Sequence, residues 1–229
     1  MEYFYAPPER ITSTAATLEG EERHHLVRAM RMKPGDRLRI VDGAGTAHDA
    51  VVQEISQRAA VCSIIASHRM LNEPARTVTL AVGVLKNPSR FDYLVEKTVE
   101  LGVSKIVPLL TERSIRKGTK VDRWQSIALA AMKQCGRCIL PSITQPAPFD
   151  AFLLSVPADA VKLIPHEKAD AGEFHVSGHD VVMCIGPEGG FSDSEVQRAV
   201  KAGFKPVTLG PRRLRAETAA VVATVIAFL

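Results

Sequence analysis

The spacing of the apolar residues changes once along this chain, at Leu71-Asn72-Glu73-Pro74, and that change constrains the fold more than any other feature. Before it, Arg37-Leu38-Arg39-Ile40-Val41 alternates polar and apolar, as a strand with one buried face does. Asp42-Gly43-Ala44-Gly45 follows as a hairpin loop in which glycine supplies positive φ. Residues 47–55 and 59–66, rich in Val and Ile, read as further strands, and residues 21–32 as a short helical segment. The first part of the chain therefore predicts a small β-barrel able to carry a basic surface.

After Pro74 strands alternate with helices. Val78, Leu80, Val82 and Val84 follow a strand period; Phe91, Leu94, Val95 and Thr98 then follow a helical one, with Gly102 placed to stop it. Ile106–Leu110 reads as a strand despite Pro108, which donates no ladder hydrogen bond. Asp122 is placed to cap a helix with a buried stripe of Trp124, Ile127, Ala128 and Ala131, ending near Gly136. Val161–Pro165 is another strand, and Val181–Ile185 is an unbroken apolar run of the kind covered on both faces in a parallel sheet. A short strand at Val207–Leu209 leads to Ala219–Leu229, a helix apolar on all sides that must bury itself in the core or against a second subunit. The chain thus divides into residues 1–72, a β-barrel, and 73–229, an α/β domain.

The composition, 46% hydrophobic and 24% charged, is that of an ordinary globular chain and excludes disorder as an overall description. The longest charge-free apolar stretch near an end, Thr218–Leu229, is too short to span a bilayer. Met1–Tyr5 has no basic or apolar leader pattern, so the expected compartment is the cytoplasm. The formal net charge of +4 decides little, but its placement matters: residues 23–39 carry six basic residues against one acid, and Lys105–Arg123 six against two. Clusters of that kind suit phosphate contacts, or are simply solvated faces.

The sharpest local motif is Ile185-Gly186-Pro187-Glu188-Gly189-Gly190-Phe191-Ser192, joining the buried strand to a helix announced by Ser192 and Glu195 at capping-box spacing. Ligands of parallel α/β sheets bind at the carboxyl ends of strands, and glycines there let backbone approach the ligand. The loop has neither the GxxxxGK[ST] nor the GxGxxG rhythm, and Glu188 would repel a polyphosphate. No GxSxG or HExxH is present, so a serine hydrolase and a zincin are excluded. A second turn, Leu209-Gly210-Pro211-Arg212-Arg213-Leu214-Arg215-Ala216-Glu217, brings charged residues to the start of the apolar helix. Cys135-Gly136-Arg137-Cys138 has redox or zinc spacing but lacks a second cysteine pair, and no metal is expected.

Four segments in order, EKTVELGVSKIVPLLTERS at 96–114, KQCGR at 133–137, the IGPEGGFSDSEV loop and the LGPRRLRAETAA turn, resemble the RsmE family. The segment HHLVRAMRMKPGDRLRIVDGAG resembles the family's opening domain. These are small-subunit (16S) ribosomal RNA uracil-N3 methyltransferases of the SPOUT superfamily. The resemblance implies a PUA-like RNA-binding barrel, an α/β domain tied in a trefoil knot, S-adenosylmethionine as cofactor, 16S rRNA of the small subunit as substrate, and a homodimer. It places the cofactor among Leu163, Pro165 and His166; Ile185, Gly186, Pro187, Gly189 and Gly190; and Leu209, Gly210, Leu214, Arg215 and Ala219. The turn departs from the family's usual pattern at Arg213 and Ala216, and Cys135 stands where serine is more usual.

N3 of uracil is a weakly acidic imide, so the reaction needs the proton removed and the resulting charge stabilised. Arg137 and Arg215 are the expected contacts to the base or its phosphates, Gln134 to the uracil edge, and Glu217 is expected to orient an arginine or accept a proton. Arg23, His25, Arg28, Arg31, Arg113 and Arg116 are the expected RNA contacts. The alternatives are a SPOUT enzyme acting on another RNA, such as a tRNA ribose, a non-catalytic RNA-binding module, and a redox or zinc protein built on the CxxC.

Overall fold

The computed structural model describes residues 1–114, 120–167, 169 and 180–229. They form two compact units: Met1–Glu73 with Met132–Leu140, and Pro74–Ala131 with Pro141–Leu229. The segment 132–140, which the periodicity groups with the α/β half, thus has its contacts in the N-terminal unit.

The N-terminal unit contains β1 (Tyr3–Tyr5), β2 (Ala15–Glu19), α1 (Gly20–His24), β3 (Arg37–Val41), β4 (Thr46–Ile55) and β5 (Ala59–Arg69), in the sheet order β1-β3-β4-β5-β2. Its pairs are antiparallel apart from β1 with β3. Register shifts at Asp49/Ala50 and Val52/Glu54 bend the two long strands, as β-bulges do. Phe4, Leu18, Leu38, Ile40, Val52 and Cys62 fill the interior. After α1 the helix widens, the Met30 N–H reaching back five residues to the His25 carbonyl at 3.0 Å. Leu26 is the residue of this segment that enters the core.

The second unit contains β6 (Thr77–Gly83), α2 (Pro88–Glu100), β7 (Lys105–Leu110), α3 (Val121–Cys135, its last turn belonging to the first unit), β8 (Ser142–Ile143), β9 (Ala147–Pro148), α4 (Phe149–Ser155), β10 (Val161–Pro165), β11 (Asp180–Ile185), α5 (Asp193–Lys201), β12 (Lys205–Val207) and α6 (Ala216–Phe228). Its strands are parallel in the order β12-β10-β11-β6-β7-β8, with β9 also on β7. β11 lies between β10 and β6, which is why Val181–Ile185 is apolar throughout. Val182 and Cys184 join Ala81, Leu109, Phe152 and Phe204 in a core on one face, while α2 and α6 pack together on the other. Trp124 of α3 stacks on Phe91 of α2 with ring centroids 4.0 Å apart. Gly102, at φ +107, ends α2: its N–H bonds the Val99 carbonyl and that of Val103 the Thr98 carbonyl, the paired closure that requires a left-handed residue.

Several boundaries differ from the sequence reading. Asp122 lies inside the first turn of α3 and offers its carbonyl to the Ser126 hydroxyl. The strand before the last helix is Lys205–Val207, and α6 begins at Ala216. Pro108 is accommodated because the outer ladder is broken beside it: β7 pairs with β8 through Lys105 and Ile106 and with β9 through Leu109 and Leu110. Ile106 turns its carbonyl outward to Thr144, so by alternation Pro108 faces the same side, where no N–H is required. Among the described residues α6 is not covered all round, since Val225 is 40% exposed.

Candidate active site

The carboxyl ends of β6, β11, β10 and β12 lie on one edge of the second unit, because parallel neighbours end on the same side. The loop after β11 is the most constrained. The Gly190 N–H bonds the Pro187 carbonyl at 2.8 Å, with Gly190 at φ +66, which closes a tight turn. A Cβ on Gly186 would lie 3.0 Å from the backbone of Gly190 and Phe191, and one on Gly83 would lie 2.5 Å from Pro187 Cδ. Both glycines are therefore demanded by close packing, one within the loop and one beneath it.

Three braces hold the loop. The Glu188 carboxylate accepts the Lys86 backbone N–H at 3.0 and 3.2 Å, joining it to the segment after β6. Arg113, after β7, donates to the carbonyls of Gly189 at 2.7 Å and Phe191 at 3.3 Å. The Ser192–Glu195 capping box fixes the start of α5, and Glu195, 1% exposed, also accepts the Glu112 N–H at 2.9 Å. Beside this loop the His166 N–H bonds the Val207 carbonyl at 2.9 Å, joining the ends of β10 and β12.

The turn before α6 carries exposed Arg215 at the helix cap, and Glu217 follows in the first turn, 8% exposed. Glu217 Oε1 lies 3.6 Å from Arg90 Nε, while its buried Oε2 has no hydrogen-bond partner. Arg90 stands in the first turn of α2, which Asn87 caps by accepting the Ser89 N–H.

Residues 72–227 match an RNA methyltransferase domain, and residues 18–65 an RNA methyltransferase PUA domain. The ribosomal RNA small subunit methyltransferase E of Synechocystis is 33% identical over 225 residues, covering 94% of this chain and 73% of the relative. The chain belongs to the ribosomal RNA small subunit methyltransferase E family. A solved family structure, that from Neisseria gonorrhoeae bound to S-adenosyl methionine, superposes with a TM-score of 0.89 at 32% identity, covering 98% of this chain and 95% of the other. The enzyme of Mesomycoplasma hyopneumoniae is 38% identical over 156 residues, 66% of this chain and 68% of its own length.

In this member of the methyltransferase E family, β10, ending at Pro165, lies between β11, which ends at Ile185 and runs into the glycine loop, and β12, from which the segment with Leu209, Gly210, Leu214 and Arg215 leads into α6 and Ala219. Gln134 and Arg137 belong to the N-terminal unit. Gln134 is exposed. Arg137 is buried against Glu73, its Nε and Nη2 donating to Glu73 Oε2 at 3.0 and 2.8 Å. Glu73 Oε1 accepts the backbone N–H groups of Cys138 and Ile139, each at 2.8 Å. Arg137 thus clamps the 132–140 segment, which further bonds through Leu140 N–H to the Gly43 carbonyl and Gly136 carbonyl to Asn72.

The CxxC is part of that clamp. Cys138 donates its thiol to the Leu71 carbonyl, and burial pushes that thiol up to about 11, away from the thiolate that redox and metal chemistry uses. Cys135 donates its thiol to the Met132 carbonyl at 3.5 Å. Among the described residues no cluster of three His, Cys, Asp or Glu side chains is placed to hold a metal.

Leu26 anchors the basic segment of the N-terminal unit, with Val27, Met30 and Met32 packed partly against the same core, which leaves its charged side chains outward. His25, Arg28 and Arg31 face solvent, and His25 lies 5.7 Å from the Phe4 ring. Arg23 is tied to the Ser56 carbonyl at 2.7 and 3.0 Å. Arg113 holds the glycine loop rather than a free surface, and Arg116 lies outside the described residues. Sequence reasoning missed Gly83, Lys86 and Arg90; Asn87-Pro88, a cap followed by a proline suited to the first helical turn, was the signal that a strand-end loop lay there.

Proposed function

We propose that this protein transfers a methyl group from S-adenosylmethionine to N3 of one uridine in 16S ribosomal RNA, as a cytoplasmic homodimer. The observation that carries the reading is the braced Gly186–Phe191 loop: backbone presented at the carboxyl edge of a parallel sheet, with a carboxylate and no lysine of its own. That donor set fits the proposed cofactor. Glycine-lined backbone can meet an adenosyl group, and a cationic sulfonium is compatible with Glu188. The residues proposed to hold the cofactor are Leu163, Pro165, His166, Ile185, Gly186, Pro187, Gly189, Gly190, Leu209, Gly210, Leu214, Arg215 and Ala219. When bound, its sulfonium supplies an electrophilic methyl group.

The remaining work falls to the chain. Arg215, exposed at the α6 cap, is proposed to neutralise charge developing on the uracil oxygens, since a guanidinium stays protonated. In the N-terminal unit, Gln134, Arg23, His25, Arg28 and Arg31 are proposed to contact the RNA. The burial of Arg137 on Glu73 supports a structural role in place of base contact. The exposed Val225 of α6 and Leu229 just after it support a second copy as their cover, and the trefoil-knotted threading implied by the resemblance belongs to the same proposal. No helix among the described residues is long and apolar enough to cross a membrane.

Small-subunit particles lacking the modification, incubated with the enzyme and methyl-labelled S-adenosylmethionine, should yield label in 3-methyluridine after nucleoside digestion. Label in another nucleoside overturns the acceptor. Absence of both label and cofactor binding overturns the catalytic reading and leaves an RNA-binding module.

A further inference from the structure

The imide proton of the acceptor has to go somewhere, and among the described residues of the α/β unit two buried carboxylate oxygens have nothing to accept from: Asp92 Oδ1, whose other oxygen already holds Arg123, and Glu217 Oε2, in the first turn of α6 beside the strand-end turn. Resting on the methyl-transfer reading above, we propose that Glu217 is the proton acceptor for the substrate nitrogen and that Arg90 is the positioning residue that aims it. Glu217 is 8% exposed, so leaving Oε2 unsatisfied is costly unless an N–H arrives there during function. Its other oxygen faces Arg90, 3.6 Å away, which turns Oε2 away from that cation.

The position is also right within the unit. Glu217 is in the first turn of α6, directly after the turn from Leu209, and Arg90 is in the first turn of α2, directly after the segment whose Lys86 N–H holds Glu188 of the glycine loop. The two helix starts therefore frame the strand-end edge. Among the described residues Arg90 is the cation within ion-pair distance of Glu217. β6 and β11 are buried through Leu80, Val82, Met183 and Ile185 and carry their acid, Asp180, at the opposite end; Arg213 and Arg215 on the preceding turn are exposed.

The step balances. The N3–H proton passes to Glu217 Oε2 as the nitrogen lone pair forms the N–CH3 bond; the methyl–sulfur bond breaks with its electron pair going to sulfur, leaving a neutral thioether. Glu217 later returns its proton to water.

The test compares wild type with Glu217→Gln, Arg90→Ala and Arg90→Lys, measuring cofactor affinity by calorimetry and single-turnover labelling of undermodified small-subunit particles. Glu217→Gln keeps the shape of the side chain and should bind S-adenosylmethionine within about threefold of wild type. Its turnover should fall by about 10²- to 10⁴-fold. Arg90→Ala should lower turnover by about tenfold or more with cofactor affinity kept, because the carboxylate is no longer aimed, and Arg90→Lys should recover part of it. Turnover of Glu217→Gln within threefold of wild type overturns the proposal. So does loss of cofactor affinity with normal turnover at saturating cofactor, which would assign Oε2 to the methyl donor. Turnover unchanged in Arg90→Ala, or lost equally in Arg90→Lys, overturns the role of Arg90. Failure of the underlying reading is distinct, since wild type itself would then give no 3-methyluridine.

Discussion

Replacing Arg137 by methionine separates two roles for this arginine. Its guanidinium and the Glu73 carboxylate are 3% and 1% exposed, and both Nε and Nη2 donate to Glu73 Oε2. Methionine keeps most of the aliphatic volume and removes the charge, so the variant leaves a buried carboxylate without its cation. Breaking such a pair from one side typically costs about 3–5 kcal/mol. The lower end applies here, because Glu73 Oε1 retains two backbone donors, Cys138 and Ile139, at 2.8 Å. A loss of about 3 kcal/mol is a large share of a domain's stability and corresponds to about 6–12 °C in Tm at this chain length. Urea unfolding followed by circular dichroism should show it, and a double-mutant cycle with Glu73→Gln should return strong coupling between the two sites. A stability loss below about 1 kcal/mol, together with abolished methyl transfer, would refute the reasoning and return Arg137 to the substrate.

Gly83→Ala should displace Pro187, which a new Cβ would approach to 2.5 Å, and weaken S-adenosylmethionine binding by about tenfold or more in calorimetry; unchanged affinity would separate the glycine loop from the cofactor. Arg113→Ala releases the carbonyls of Gly189 and Phe191 and should cost about 10–100-fold in cofactor affinity, with partial recovery in Arg113→Lys; a change confined to RNA affinity would restore it to the RNA surface. Burial pushes the thiols of Cys62 and Cys138 from 9.0 up to about 11. A raised folded-state value means their contribution to stability is complete below pH 9 and is lost as pH rises from about 9 to 11. Unfolding midpoints should fall across that window, and less steeply in a Cys62→Ala/Cys138→Ala variant; equal slopes would refute the assignment.

Much of this protein was legible in one dimension because the signals are local. The unbroken run Val181–Ile185 identified the central strand, since only a strand covered on both faces is apolar throughout. Ser192 and Glu195 announced α5 because a capping box is satisfied within four residues. Gly102 stopped α2 because its left-handed closure needs no distant partner. The glycine loop and the turn before α6 were visible for the same reason. Tyr3–Tyr5 and Ala15–Glu19 were not, since each is too short to show a period and becomes a strand only by pairing with β3 or β5. Partnerships between distant residues belong to tertiary structure alone. Arg113 and Arg137 read equally well as RNA contacts until folding set one against the carbonyls of the glycine loop and buried the other on Glu73, 64 residues away. A guanidinium is the same group in every sequence; which acceptors reach it, and whether water does, is decided by what the fold places around it.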